Sequence, residues 1–242
     1  MPEDFVDIDK EEARSEEMAA RELVDALGIN LETFDVLASL FGELSGRVKD
    51  NELEQYQNAH MNIAVRMVSD LRTIKILICK GWTPQAAVVA STLLEESLNI
   101  RYIGSDNCKA QKWFSHTNEK HPVWRISFLL EELKNKTGED LEPVWRRFCQ
   151  IKHYNPRLAR FFHIKVLDGK IIFHPGPLVD KEDNVWKEYI LMWSSALVVD
   201  TLKEIYQSFM KYHISPEEWE KQFKALELKI REFLRKKSQE SL

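Results

Sequence analysis

Residues 52–103 constrain the fold more than any other stretch. Two long runs with helical periodicity stand on either side of one short break. In the first, Glu52 to Lys80, the residues Met61, Ala64, Val65, Val68, Leu71 and Ile74 mark a buried face at three- and four-residue steps. Gly81-Trp82 interrupts the pattern. Thr83-Pro84 restarts it, with a hydroxyl to cap the new helix and a proline at its first position, where the missing N–H costs no hydrogen bond. The second run, Pro84 to about Ile103, is apolar on nearly all sides over AAVVASTLL, as expected of a helix enclosed by others. The chain reverses at the break, so the pair forms an antiparallel hairpin at the heart of the domain.

Composition agrees with a helical reading. Only 8 Gly and 8 Pro occur in 242 residues, too few for a loop-rich sandwich, and a 44% hydrophobic content excludes wholesale disorder. Cys79, Cys108 and Cys149 are odd in number, far apart and without a CxxC pair. They fit neither a disulfide framework nor a zinc ribbon, and a reducing cytoplasmic setting is expected. No apolar stretch reaches the roughly 20 residues of a membrane span, and no signal peptide is expected at the acidic N-terminus.

The net charge of −5 is unevenly spread. Residues 1–55 hold 5 Lys/Arg against 16 Asp/Glu, whereas residues 145–170 hold seven cations (Arg146, Arg147, Lys152, Arg157, Arg160, Lys165 and Lys170) against Asp168 alone. The basic segment is either a solvated surface or a local site for phosphate or another anion.

The remaining elements follow in order. Residues 1–50 read as an acidic helical arm, with one helix ending at Gly28 and a second from Leu31 to about Val48. Short helices are expected over Asn107–His116 and from Pro122 to about Lys136, the latter with Ile126, Leu129, Leu130 and Leu133 inward. Asp168-Gly169 between β-branched and aromatic runs predicts a small β-hairpin at about 160–174. A long helix is expected from about Lys181 to Tyr212, closing a core of residues 51–212. Ser215-Pro216 then opens a C-terminal helix, and a tail completes residues 213–242.

Chemistry-capable residues gather in LEPVWRRFCQIKHYNP, Leu141 to Pro156, a short amphipathic helix expected to stop near His153 or Tyr154, before Pro156. Residues seven apart fall about 20° short of two full turns, so Arg146 and His153 share a face, about 10 Å apart along the axis. Arg147 and His153 diverge by about 120° on a straight helix. An arginine and a histidine facing one cleft can hold a phosphodiester, the guanidinium as a fixed bidentate cation and the imidazole as a proton carrier near neutral pH. Lys152, Tyr154 and Asn155 surround His153, and Asn155 also suits a local capping role. Upstream, Glu95 and Glu96 interrupt an apolar helix, with Arg101 and Tyr102 after them; Arg146 or Arg147 is a candidate partner for these carboxylates. Cys149 reads as a helical thiol. His116 and His121 lack enough ligands around them for a metal site, and HEXXH, Walker, GxSxG and GxGxxG motifs are absent. Neither a metal nor a cofactor is expected.

Arg146 or Arg147 followed by His153 resembles the Arg-x(4–6)-His signature of the HEPN superfamily, helical bundles often found as RNases in toxin–antitoxin and phage-defence systems. The segments AAVVASTLLEESLNIRYI and WRRFCQIKHYNP are more narrowly similar to an uncharacterised bacterial branch of it, over about residues 55–210. The resemblance implies a mainly α, HEPN-like bundle with a β-hairpin insertion and an extra C-terminal helix. It also implies an Arg/His pair (Arg146 or Arg147 with His153) acting on RNA without metal, and a homodimer. Phe148 follows Arg147 where active members often have a polar residue, and position 91 is Ser where closer relatives carry Arg. These departures favour binding of RNA, a nucleotide or a protein partner over cleavage, with metal-independent endoribonuclease activity as the alternative. The expected working cleft is lined by Glu95, Arg101, Arg146, Arg147, Lys152, His153 and Asn155, with Tyr154 in support. The acidic arm is the expected contact for a protein partner.

Overall fold

A computed structural model describes residues 39, 40, 42, 53–117, 121–152, 164–167, 170–173, 181–209 and 217–240. Helix α1, Gln55–Cys79, starts where Gln57 Oε1 accepts from the Glu54 N–H at 2.9 Å. Its buried face is Ala59, His60, Ile63, Ala64, Met67, Leu71, Ile74 and Ile78. Val65, expected inward, is 62% exposed, because it lies one residue, about 100°, around the helix from Ala64. Gly81 adopts φ +79°, a left-handed conformation that glycine reaches without a Cβ clash, and the Trp82 N–H donates to Leu77 O at 2.8 Å to close the turn.

Helix α2, Thr83–Ile103, returns antiparallel to α1. Its N-cap is Trp82, not Thr83, so the expected hydroxyl cap does not form: Thr83 is already helical, and its Oγ1 is buried without a hydrogen-bond partner. α2 is the central rod, as its apolar run predicts, and packs on α1, α4, α5 and α6. Helix α3, Asn107–Phe114, is capped by Asp106, whose Oδ1 accepts from the Cys108 and Lys109 N–H groups. Helix α4, Ile126–Thr137, begins four residues later than Pro122 because Arg125 is extended at its N-cap. Leu129, Leu130 and Leu133 are its buried residues, and Gly138 at φ +77° ends it.

Helix α5 spans Glu142–Lys152 and helix α6 spans Lys181–Phe209. Between them, strands β1, Ile164–Leu167, and β2, Lys170–Phe173, pair antiparallel with Ile164 opposite Phe173 and Leu167 opposite Lys170. Helix α7, Glu217–Glu240, packs on α6 through Phe223, Leu226 and Ile230. The molecule is therefore mainly helical, and no helix among the described residues is long and apolar enough to cross a membrane.

Small side chains let α2 and α6 approach closely: Ser97 and Thr201 are fully buried, and the Thr201 hydroxyl lies 2.8 Å from Ser97 Oγ and 2.7 Å from Leu197 O. Gln57 Nε2 donates to Ser208 O at 2.7 Å, tying the start of α1 to the end of α6. Most of the expected N-terminal arm lies outside the described residues. Leu40, which does lie within them, is helical and buried in the main core.

Candidate functional site

The neighbours of α5 decide what its cations can do. Val144, Phe148 and Ile151 form its buried stripe, and the Phe148 ring meets Tyr189 of α6 edge-on at 6.0 Å between centroids. The first turn is set by Asp140, which accepts from the Glu142 N–H at 3.1 Å and pairs with Lys134 at 2.7 Å. Pro143 is harmless there, since first-turn N–H groups have no intrahelical acceptor.

Arg146 and Arg147 then diverge. Arg146 folds back along its own helix, with Nε and Nη2 donating to Glu142 Oε1 at 3.0 and 2.7 Å. Arg147, about 100° around the helix, leans toward α6, its guanidinium carbon 5.2 Å above the Trp186 ring. Burial pushes the neighbouring Tyr189 hydroxyl up to about 12, against the pull of Arg147. No carboxylate among the described residues pairs with Arg147.

Lys152 stands on the other flank of α5, within electrostatic reach of Glu95 on α2. Burial raises the Glu95 carboxyl above its ordinary range and Lys152 lowers it. The same pair bears on Cys149, whose thiol is raised first by burial and so stays protonated. Arg101 is engaged elsewhere: its Nη2 pairs with Glu139 at 2.5 Å, near Asp200. His153, Tyr154 and Asn155 lie outside the described residues.

Of the expected cleft, then, the structure brings Glu95 and Lys152 together and sends Arg101, Arg146 and Arg147 to three different partners. Glu96, for which Arg146 or Arg147 was the candidate partner, instead faces Arg66 of α1 at 3.0 Å. The Glu96 carboxyl is 7% exposed and pushed up to about 8, by burial and by the nearby Asp70 carboxylate; Arg66 opposes the shift and Glu95 adds to it. Sequence spacing along α2 gives no sign of Arg66, because the pairing crosses to a helix whose register is set by the hairpin turn.

Beyond these residues, α2, α3 and the segment leading into α4 enclose a pocket of about 270 Å³. Trp113, Trp124 and Ile126 supply apolar wall, and Glu95, Asn99 and His116 supply the polar lining. Asn99 sits one turn after Glu95, so the i,i+4 spacing that places both on one face was readable in the sequence. Trp124 also packs edge-on against Tyr102 at 4.9 Å. His116 Nε2 lies 2.7 Å from His121 O. No cluster of three metal-ligating side chains exists among the described residues. No protein-family model, curated protein or solved structure matches the chain.

Proposed function

We propose that this chain is a HEPN-like helical bundle, with β1 and β2 as its small hairpin insertion, and that it binds RNA or nucleotides along α5. The observation that carries this reading is Arg147: exposed, without a carboxylate partner among the described residues, and held over an indole ring. A cation–π contact of this kind holds a guanidinium in place without using its N–H donors, which suits recognition of a phosphate. Arg146 is less suited, since Glu142 already takes its donors. Lys152 and the cations that follow it in sequence add positive charge to the same stretch of the chain.

Titration of single-stranded RNA at several salt concentrations tests the proposal. Binding should weaken steeply with salt, and Arg147→Ala should lower the slope of log K against log salt by about 0.7, the loss of one phosphate contact. Salt-insensitive binding, or an Arg147→Ala titration that overlays wild type, would overturn it. The same protein incubated with total RNA in EDTA separates binding from cleavage. Fragments with cyclic phosphate ends, lost in His153→Ala, would mark the endoribonuclease; intact RNA would leave a binding protein.

A further inference from the structure

Hydrogen bonds already made fix what each polar group of the α2–α3–α4 pocket has left to offer. Asn99 Nδ2 donates to Glu95 O at 2.9 Å. A carbonyl oxygen only accepts, so the orientation of this amide is set by its bond, which leaves Oδ1 and the second Nδ2 hydrogen free. His116 Nε2 faces the His121 carbonyl at 2.7 Å, so Nε2 holds a proton, and in that tautomer Nδ1 is an acceptor. Glu95 adds carboxylate oxygens. Each of the three polar lining groups therefore offers an acceptor, Asn99 with one N–H besides, next to the indoles of Trp113 and Trp124. A complementary ligand is flat and presents N–H donors.

We propose that this pocket binds the base of a guanine nucleotide, an inference that rests on the nucleotide-binding reading above and names the base it selects. The guanine edge carries N1–H and the N2 amino group side by side, which a single carboxylate accepts as a bidentate pair. Its purine face gives the indoles a stacking surface. Adenine places an unprotonated ring nitrogen where guanine has N1–H, setting lone pair against carboxylate. A small organic cation would also meet the acceptors, but Lys152 already holds a positive charge beside Glu95. That charge disfavours a second cation and suits the phosphate of a nucleotide.

Calorimetric titration of the full chain with GMP, AMP, UMP and agmatine tests the pocket. GMP should bind about tenfold or more tightly than AMP or UMP. Glu95→Gln, at an exposed rim position, should abolish the preference without changing the thermal midpoint, because the amide replaces one acceptor with a donor. Equal affinity for GMP and AMP, tighter binding of agmatine, or no binding of GMP would each overturn the proposal. The RNA titration keeps the two readings apart. If RNA binding remains sensitive to Arg147 while the mononucleotides do not discriminate, only the base pocket fails. If GMP selectivity depends on Glu95 while Arg147→Ala leaves RNA binding unchanged, only the α5 reading fails.

Discussion

Phe148 and Arg146 sit two residues apart on α5 and differ in what their removal should do. Phe148 is fully buried between the helix and Tyr189, so deleting its ring both forfeits the transfer free energy and leaves a cavity that the close-packed α2–α6 neighbourhood closes only in part. Phe148→Ala should cost about 3–5 kcal/mol in urea unfolding. Arg146 pairs with Glu142 at the surface, 68% exposed, where screening and side-chain entropy consume most of the gain. Arg146→Ala should therefore shift stability by no more than about 0.5 kcal/mol. A Phe148→Ala loss below about 1 kcal/mol would mean that α5 does not dock through this ring. The comparison also bears on function: with α5 anchored by Phe148, residues on its exposed sides can be changed without undoing the fold.

Among the elements, α4 has the simplest stop. Gly138 holds φ +77°, its N–H donates to Lys134 O at 2.8 Å, and a Cβ placed there would meet nothing within 4 Å. Gly138→Ala isolates the left-handed backbone penalty from any clash, and should lower stability by about 1 kcal/mol in denaturant melts. The element pattern was largely legible because its signals are local. Gly81-Trp82 had to break a helix, and AAVVASTLL had to be enclosed. Errors arose where two local signals competed or where the deciding neighbour was distant. Thr83 has the chemistry of a cap, yet the turn through Gly81 lets the helix begin at Thr83 itself. Glu142, four residues before Arg146, was a local signal for the pairing of that arginine, whereas the contact of Arg147 depends on the placement of Trp186 on α6. Glu96 could not be matched to Arg66, nor Asn99 and His116 to one pocket, because those meetings depend on how helices pack, which periodicity along one strand of sequence does not encode.

Across the whole molecule, two buried titratable groups in the α1–α2–α6 core set opposing pH slopes. His60 is fully buried, with Nδ1 3.2 Å from Ser208 Oγ, and burial lowers it from 6.5 to about 4, partly offset by the Ile100 backbone. Between those values the unfolded chain binds a proton that the folded chain refuses. This residue therefore adds stability above pH 6.5 that is lost as pH falls toward 4, about 3 kcal/mol in all. Glu96 acts in the other direction. Its carboxyl, raised from 4.5 to about 8, keeps its proton in the folded state while the unfolded one ionises. Stability from this group is present below pH 4.5 and falls as pH rises to 8. Between pH 4.5 and 6.5 the two slopes nearly cancel, and above 6.5 only the Glu96 slope remains, a loss of about 2 kcal/mol by pH 8. Urea midpoints measured from pH 4.5 to 8.5 should show a plateau followed by an alkaline decline. Glu96→Gln, which keeps the shape and removes the titration, should flatten that decline and turn the plateau below pH 6.5 into the uncompensated rise set by His60. A decline that persists in Glu96→Gln would place the responsible proton elsewhere and show that Arg66, although 66% exposed, holds the carboxylate ionised in the folded protein.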